Sequence, residues 1–194
     1  MYWSLLATHL AAYWVTVARQ HIRLGRSEKG SLTAIEIVPL VIFNQLCITT
    51  AVIWSADIFG IELQTSGCTF SEGMLRFIGM ILTLNFCFYT LHLLAHKWRW
   101  LYRNVHAVHH RLVVSVGYGA VYCHPIEHVF VNLGPVVAAI WMFGALNWWL
   151  IHWFVAVISW STVEAHSCVK ERGKGSQHYY HHYKNGCIYG NSPY

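Results

Sequence analysis

The segment MLRFIGMILTLNFCFYTLHLLAH, residues 74–96, decides how this chain is read. It carries one formal charge, Arg76, and is predominantly apolar up to its two histidines. A helix of about 20 such residues crosses the hydrocarbon of a bilayer. Its end holds His92 and His96, four residues apart and so on one helix face. The segment therefore predicts a membrane-spanning helix that delivers a pair of imidazoles to one membrane edge.

The rest of the chain agrees with that setting. Of 194 residues, 56% are hydrophobic and only 11% charged, whereas soluble domains average about 25% charged. Further apolar runs cover Tyr2 to Ala18, Leu32 to Ala56 and Val129 to Ala165, the last divided by a turn signal at Gly144 to Asn147. Its two halves are near the lower limit for a span. Glu36, Pro39 and Asn44 in the second run require part of it to face protein or the interface. The expectation is an all-α fold, a polytopic membrane helical bundle of four to five apolar helices. The N-terminus lacks a basic leader and a small-residue cleavage site, so the first run is expected to stay in the membrane.

Charge placement orients the bundle. Arg19, Arg23, Arg26 and Lys29 follow the first run; Lys97, Arg99, Arg103 and Arg111 follow the third; Lys170, Arg172, Lys174 and Lys184 follow the last. The stretch from Asp57 to Glu72 has no Lys or Arg. The positive-inside rule puts the three basic segments in the cytosol. The net charge of +5 is thus an orientation signal rather than a nucleic-acid stripe.

Fourteen histidines are the compositional anomaly. Beyond His92 and His96, the motif HAVHH occupies 106–110 and HYYHH occupies 178–182, repeating one spacing. Helical spacing puts His106 and His109 on one face with His110 beside them, and an adjacent pair of imidazoles can address two metals. The predicted topology brings all three clusters to the cytosolic edge. So many neutral nitrogens point to metal binding. One zinc takes about four ligands, so eight imply at least two metals; imidazole suits zinc, iron, copper and nickel alike. A metal transporter or carrier would instead place ionisable groups near the middle of several spans. The six cysteines are scattered with no C-x-x-C pair, and they read as packing residues. His9, His21 and His152 lie outside the clusters and read as structural or interfacial.

This series of H-x-x-x-H, H-x-x-H-H and H-x-x-H-H resembles the fatty acid hydroxylase and sterol desaturase superfamily, over about Phe86 to Tyr194. LYRNVHAVHH at 101–110, GYGAVYCHPIE at 117–127, Gly134-Pro135 and TVEAHS at 162–167 are similar to elements of the sterol 4-methyl oxidase branch. Arg111, where an acidic residue is common, and Cys168, in place of a glycine, depart from its pattern. The resemblance implies metal ligands at His92, His96, His106, His109, His110, His166, His178, His181 and His182, with His124 as a ligand or a neighbour of one. Metal-bound imidazoles pass their other N–H to a carboxylate or carbonyl, which points to Glu164, Glu127 and Asn185, Glu164 foremost. The resemblance also implies two iron ions as cofactor and dioxygen as oxidant. Electrons would come from an external cytochrome b-type haem protein or reductase. The reaction implied is oxidation of a lipid C–H bond, a sterol 4-methyl group first. Fatty acyl or sphingoid hydroxylation and sterol desaturation are the sibling activities, and an inactive paralogue or a metal-binding membrane protein stands outside the class. The host membrane implied is the endoplasmic reticulum of a eukaryote. By this reading residues 1–72 are anchor helices and a loop, and 73–194 are the catalytic domain. That domain ends at Tyr194, short of the family's usual aromatic-aspartate pair and Phe-Gly-Thr ending, and so reads as C-terminally truncated.

Overall fold

The computed structural model describes residues 2–21, 32–58, 68–113, 115–144, 147–167, 177–184 and 189, and they are helical nearly throughout, with no strand among them. Helix α1 (Tyr2–His21) packs along α8 (Trp148–Ala165). Helix α2 (Ala34–Ile42) passes through a π-helical turn at Phe43–Ile48 into α3 (Thr49–Ile58) without a break. Helix α4 (Phe70–Lys97) is the longest. Short α5 (Arg99–Asn104) leads from it into a 3-10 segment, His106–Arg111. Helix α6 (Pro125–Glu127), a π segment at His128–Leu133, α7 (Gly134–Ala139) and a second π segment at Ile140–Gly144 form one further rod. Helix α9 (Gln177–Lys184) carries the last histidine motif.

Three stretches are long and apolar enough to cross a membrane: Ala34–Ala51, Phe70–Lys97 and Pro125–Phe143. Helices α1 and α8 occupy the first and last apolar runs, but histidine, serine, threonine and tryptophan dilute both, and neither joins that set. Three stretches thus have spanning character by length and composition among the described residues, and α1 and α8 pack on each other.

Local chemistry explains the element ends. Thr69 caps α4, and the Glu72 carboxylate reaches back to the Thr69 N–H at 2.9 Å, a reciprocal capping box. The Asn147 side chain accepts from the Leu150 N–H at 3.1 Å and starts α8. Pro135 has no N–H to give, and the preceding turn is wound as π helix. The outward face of α4 shows Leu75, Leu82 and Phe86 largely exposed, as expected where lipid replaces water. Its inward face packs Met80 against Ala139 and Phe154. Gly79 makes the close approach possible: a Cβ there would lie 2.7 Å from the Phe143 ring.

Polar ties hold the stretch between the 3-10 segment and α6. Buried Asn44 donates to the carbonyls of Val121 and Cys123, each at 2.9 Å. The Tyr13 hydroxyl donates to the Tyr118 carbonyl at 3.0 Å. The polar residue inside the second apolar run thus faces protein. These ties matter because the same stretch backs the histidines.

Candidate metal centre

Four elements bring nine histidines together. The end of α4 supplies His92 and His96; the 3-10 segment supplies His106, His109 and His110; the end of α8 supplies His166; α9 supplies His178, His181 and His182. They sort into two groups, each with ligand atoms within 4.8 Å of one another: His92, His96, His106, His110 and His181, and His109, His166, His178 and His182. All are buried except His96, which is half-buried.

The adjacent pairs divide between the groups, His109 from His110 and His181 from His182. His106 pairs with His110, not with His109 as helical spacing suggests. The anchors decide this: His106 Nδ1 meets the Glu127 carboxylate at 2.7 Å, and His109 Nδ1 donates to the Tyr122 carbonyl at 3.0 Å. The two rings are thereby turned to different sites.

The same anchors fix the tautomers. His92 Nδ1 donates to the Tyr189 carbonyl at 2.9 Å, and His166 Nδ1 to the Thr162 carbonyl at 2.8 Å. A carbonyl only accepts, so in His92, His109 and His166 the proton is on Nδ1 and Nε2 is a bare lone pair. His109 and His166 then point lone pairs at each other across 3.5 Å. Two acceptors have no hydrogen bond to share, whereas a cation between them satisfies both.

In the first group the Nε2 atoms of His96, His106, His110 and His181 meet at 2.9–3.1 Å. Two nitrogens bound at right angles to one metal, at about 2.0–2.1 Å each, are about 2.9 Å apart. Buried His92 Nε2 and both nitrogens of His182 have no hydrogen-bond partner among the described residues, a costly state unless another species takes up the lone pairs. Burial chiefly lowers His106 and His166 to a pKa of about 4 and His109 to about 3, and it holds His178 and His182 well below the usual range, so the rings are neutral at pH 7. Neutral rings, Nδ1 protons held outward on His92, His109 and His166, and an all-nitrogen donor set fit iron, zinc, copper or nickel.

His124 is apart from both groups: its Nδ1 accepts from the Ile126 N–H at 3.2 Å and caps α6. Glu127, rather than Glu164, touches a cluster histidine. The Glu164 side chain makes no hydrogen bond to one among the described residues, and Asn185 lies outside those residues. His152 bonds Trp148 and Ser4, a structural role, and His9 bonds Ser159.

What the motifs did not reveal is a cavity of about 500 Å³. It runs along α4 from Ile81 to His92 and along α8 from Val155 to His166, with apolar walls such as Leu84, Phe88, Val136 and Ile158. It ends on His92, His109, His166 and His178. No sequence signal could have found it, because its walls are ordinary apolar side chains.

Comparison with known proteins follows the same residues. The family model for fatty acid hydroxylase matches residues 77–194. The chain belongs to the fatty acid hydroxylase family. Sphinganine C4-monooxygenase 1 of Arabidopsis thaliana is 26% identical over 135 residues, 68% of this chain and 52% of its own length. Methylsterol monooxygenase 2-2 of Arabidopsis thaliana is 37% identical over 83 residues, 42% of this chain and 30% of its own. A very-long-chain aldehyde decarbonylase of Oryza sativa subsp. indica is 27% identical over 118 residues, 59% and 45% respectively. The chain spans about half the length of the first of these relatives. No solved structure matches it. This fatty acid hydroxylase family member thus carries all nine clustered histidines inside the matched region.

Proposed function

We propose that this chain is a membrane-bound di-iron oxygenase that oxidises a C–H bond of a lipid, with sterol 4-methyl oxidation as the specific reaction. One observation carries the reading: an apolar cavity inside the helical bundle ends on two adjacent all-histidine groups.

His92, His96, His106, His110 and His181 would hold one iron, and His109, His166, His178 and His182 the other. Bound there, the pair supplies the dioxygen and electron chemistry that an unactivated C–H bond requires and that side chains lack. The chain supplies the rest. Carbonyls of Tyr122, Thr162 and Tyr189 hold Nδ1 protons outward and so keep lone pairs inward. Glu127 orients His106 and raises the basicity of its ring. Leu84, Phe88 and Ile158 exclude water and seat an apolar chain with one end against the histidines.

The electron donor is an external cytochrome b-type haem protein or its reductase. Tyr102 of α5 lies 5.5 Å from the half-buried His96 ring, next to exposed Arg99 and Arg103, which offers an acidic donor a short approach. The basic residues Lys97, Arg99, Arg103 and Arg111 support a cytosolic face for the histidines. In a eukaryotic host the membrane is that of the endoplasmic reticulum.

The sterol assignment draws on the higher identity to the methylsterol monooxygenase. Sphingoid hydroxylation is the second reading, because the match to the sphinganine C4-monooxygenase extends over more of this chain. Membranes carrying the chain, supplied with an electron donor, dioxygen and a panel of 4-methyl sterols, sphingoid bases and fatty acids, separate the two. Oxidised 4-methyl sterol is the expected product. Hydroxylated sphingoid base alone would move the assignment to the second reading, and no oxidised lipid together with no bound iron would reject both.

A further inference from the structure

The two histidine groups have different surroundings. The cavity reaches three members of the second group, His109, His166 and His178, and only His92 of the first. The first group is flanked instead by two tyrosines. The Tyr102 ring of α5 lies 5.5 Å from the His96 ring and 6.1 Å from those of His106 and His110. The Tyr189 ring lies 5.0 Å from His96, 5.6 Å from His181 and 6.0 Å from His92. Between them the two phenols meet every histidine of the first group, and neither lines the cavity. Among the described residues no tyrosine or tryptophan ring packs on a histidine of the second group.

The arrangement continues outward from Tyr189. Its carbonyl accepts from His92 Nδ1 at 2.9 Å, which fixes the residue beside α4. Its ring meets that of Tyr89, on the same helix, edge-on at 6.4 Å, and Tyr89 is 46% exposed. Aromatic rings in contact have centroids about 4.5–7 Å apart, and each of these pairs does. A phenol gives up one electron readily and loses its O–H proton in the same step, whereas a neutral imidazole is much harder to oxidise. A line of touching phenols from a redox centre to the surface therefore carries oxidising equivalents outward, away from the metal ligands.

We propose that Tyr102 and Tyr189 protect the first histidine group by giving electrons to peroxide formed there when no lipid fills the cavity, and that Tyr189 passes its oxidising equivalent on to Tyr89. The inference rests on the oxygenase reading: two electrons from the external donor and two protons turn dioxygen into hydrogen peroxide when no C–H bond is in reach. The peroxide O–O bond then breaks, two phenolic O–H bonds supply two electrons and two protons, and two waters leave. Two phenoxyl radicals remain. Each returns to phenol by taking one electron from the external donor and one proton from solvent. Without a donor, the radicals of Tyr89 and Tyr189 join through a ring carbon–carbon bond, and the pair is lighter by the two hydrogens given up.

The test treats full-length protein in nanodiscs, loaded with ferrous ion and without added lipid substrate, with hydrogen peroxide. Iron content, the organic radical seen by electron paramagnetic resonance and the oxidised peptides seen by mass spectrometry are read on the same samples. Wild type is expected to show a tyrosine radical and a Tyr89–Tyr189 cross-link, both absent from metal-free protein. Tyr89→Phe should keep the radical and lose the cross-link. The double variant Tyr102→Phe, Tyr189→Phe keeps both rings and the Tyr189 carbonyl. It should hold iron at the wild-type level, lose most of the radical and oxidise its cluster histidines severalfold more. Iron-loaded wild type with neither radical nor cross-link would overturn this inference alone, as would a double variant whose histidines fare no worse, or equal products in metal-free protein. Protein that takes up no iron would reject the oxygenase reading and this inference with it.

Discussion

His109 Nε2 and His166 Nε2 face each other as two acceptors, and from such pairs the metal reading follows. Replacing His109 with Ala removes a ligand of the second group, and His181→Ala removes one of the first. Each variant should insert in the membrane as wild type does, yet lose activity and about half of its iron. Metal analysis and a turnover assay check both. Glu127→Gln should lower iron affinity or activity by about 10- to 100-fold, the usual cost of losing the group that orients a metal-bound imidazole, whereas Glu164→Gln should leave iron affinity unchanged. The lowered pKa values of His106, His109 and His166 give metal-free protein a signed pH dependence. An unfolded chain protonates these rings below a pH of about 6.5, while the folded chain keeps them neutral down to about 3–4. These three rings should therefore make stability fall as pH drops through that window, read from thermal unfolding between pH 6.5 and 4. At this scale the sequence was informative where histidine was frequent and regularly spaced. It was silent on partition, because backbone carbonyls of Tyr122, Thr162 and Tyr189 turn the rings and no residue letter marks a carbonyl.

At the scale of elements, apolar runs announced α1, α4 and α8 with fair bounds, since a bilayer demands length and low charge. The π segments on either side of α7 were not legible: Pro135 signals a disturbed ladder but not which way the turns widen. Nor could the sequence show that Gly79 is where α4 meets the Phe143 ring. Gly79→Val should push that ring aside and destabilise the contact of α4 with the π segment at Ile140–Gly144 by about 1–3 kcal/mol, the cost typical of overpacking. A lowered thermal midpoint in detergent, with cluster histidines and motifs untouched, is the expected result; an unchanged midpoint would mean that the helices part without cost.

At the scale of the whole molecule, three stretches of spanning character and the packed pair α1 and α8 line an apolar cavity with the histidines at its end. Family membership and clustered histidines were readable from motifs, whereas the cavity arises from long-range packing of unremarkable Leu, Val and Ile side chains. A metal that binds the folded chain but not the unfolded one stabilises it by mass action, so iron should raise the thermal midpoint and a chelator should lower it. The most direct test of the central claim is the iron stoichiometry of protein purified from membranes and loaded anaerobically with ferrous ion. Two iron ions per chain are predicted, falling to about one in His109→Ala and in His181→Ala. A single zinc per chain, or two irons retained in either variant, would contradict the account.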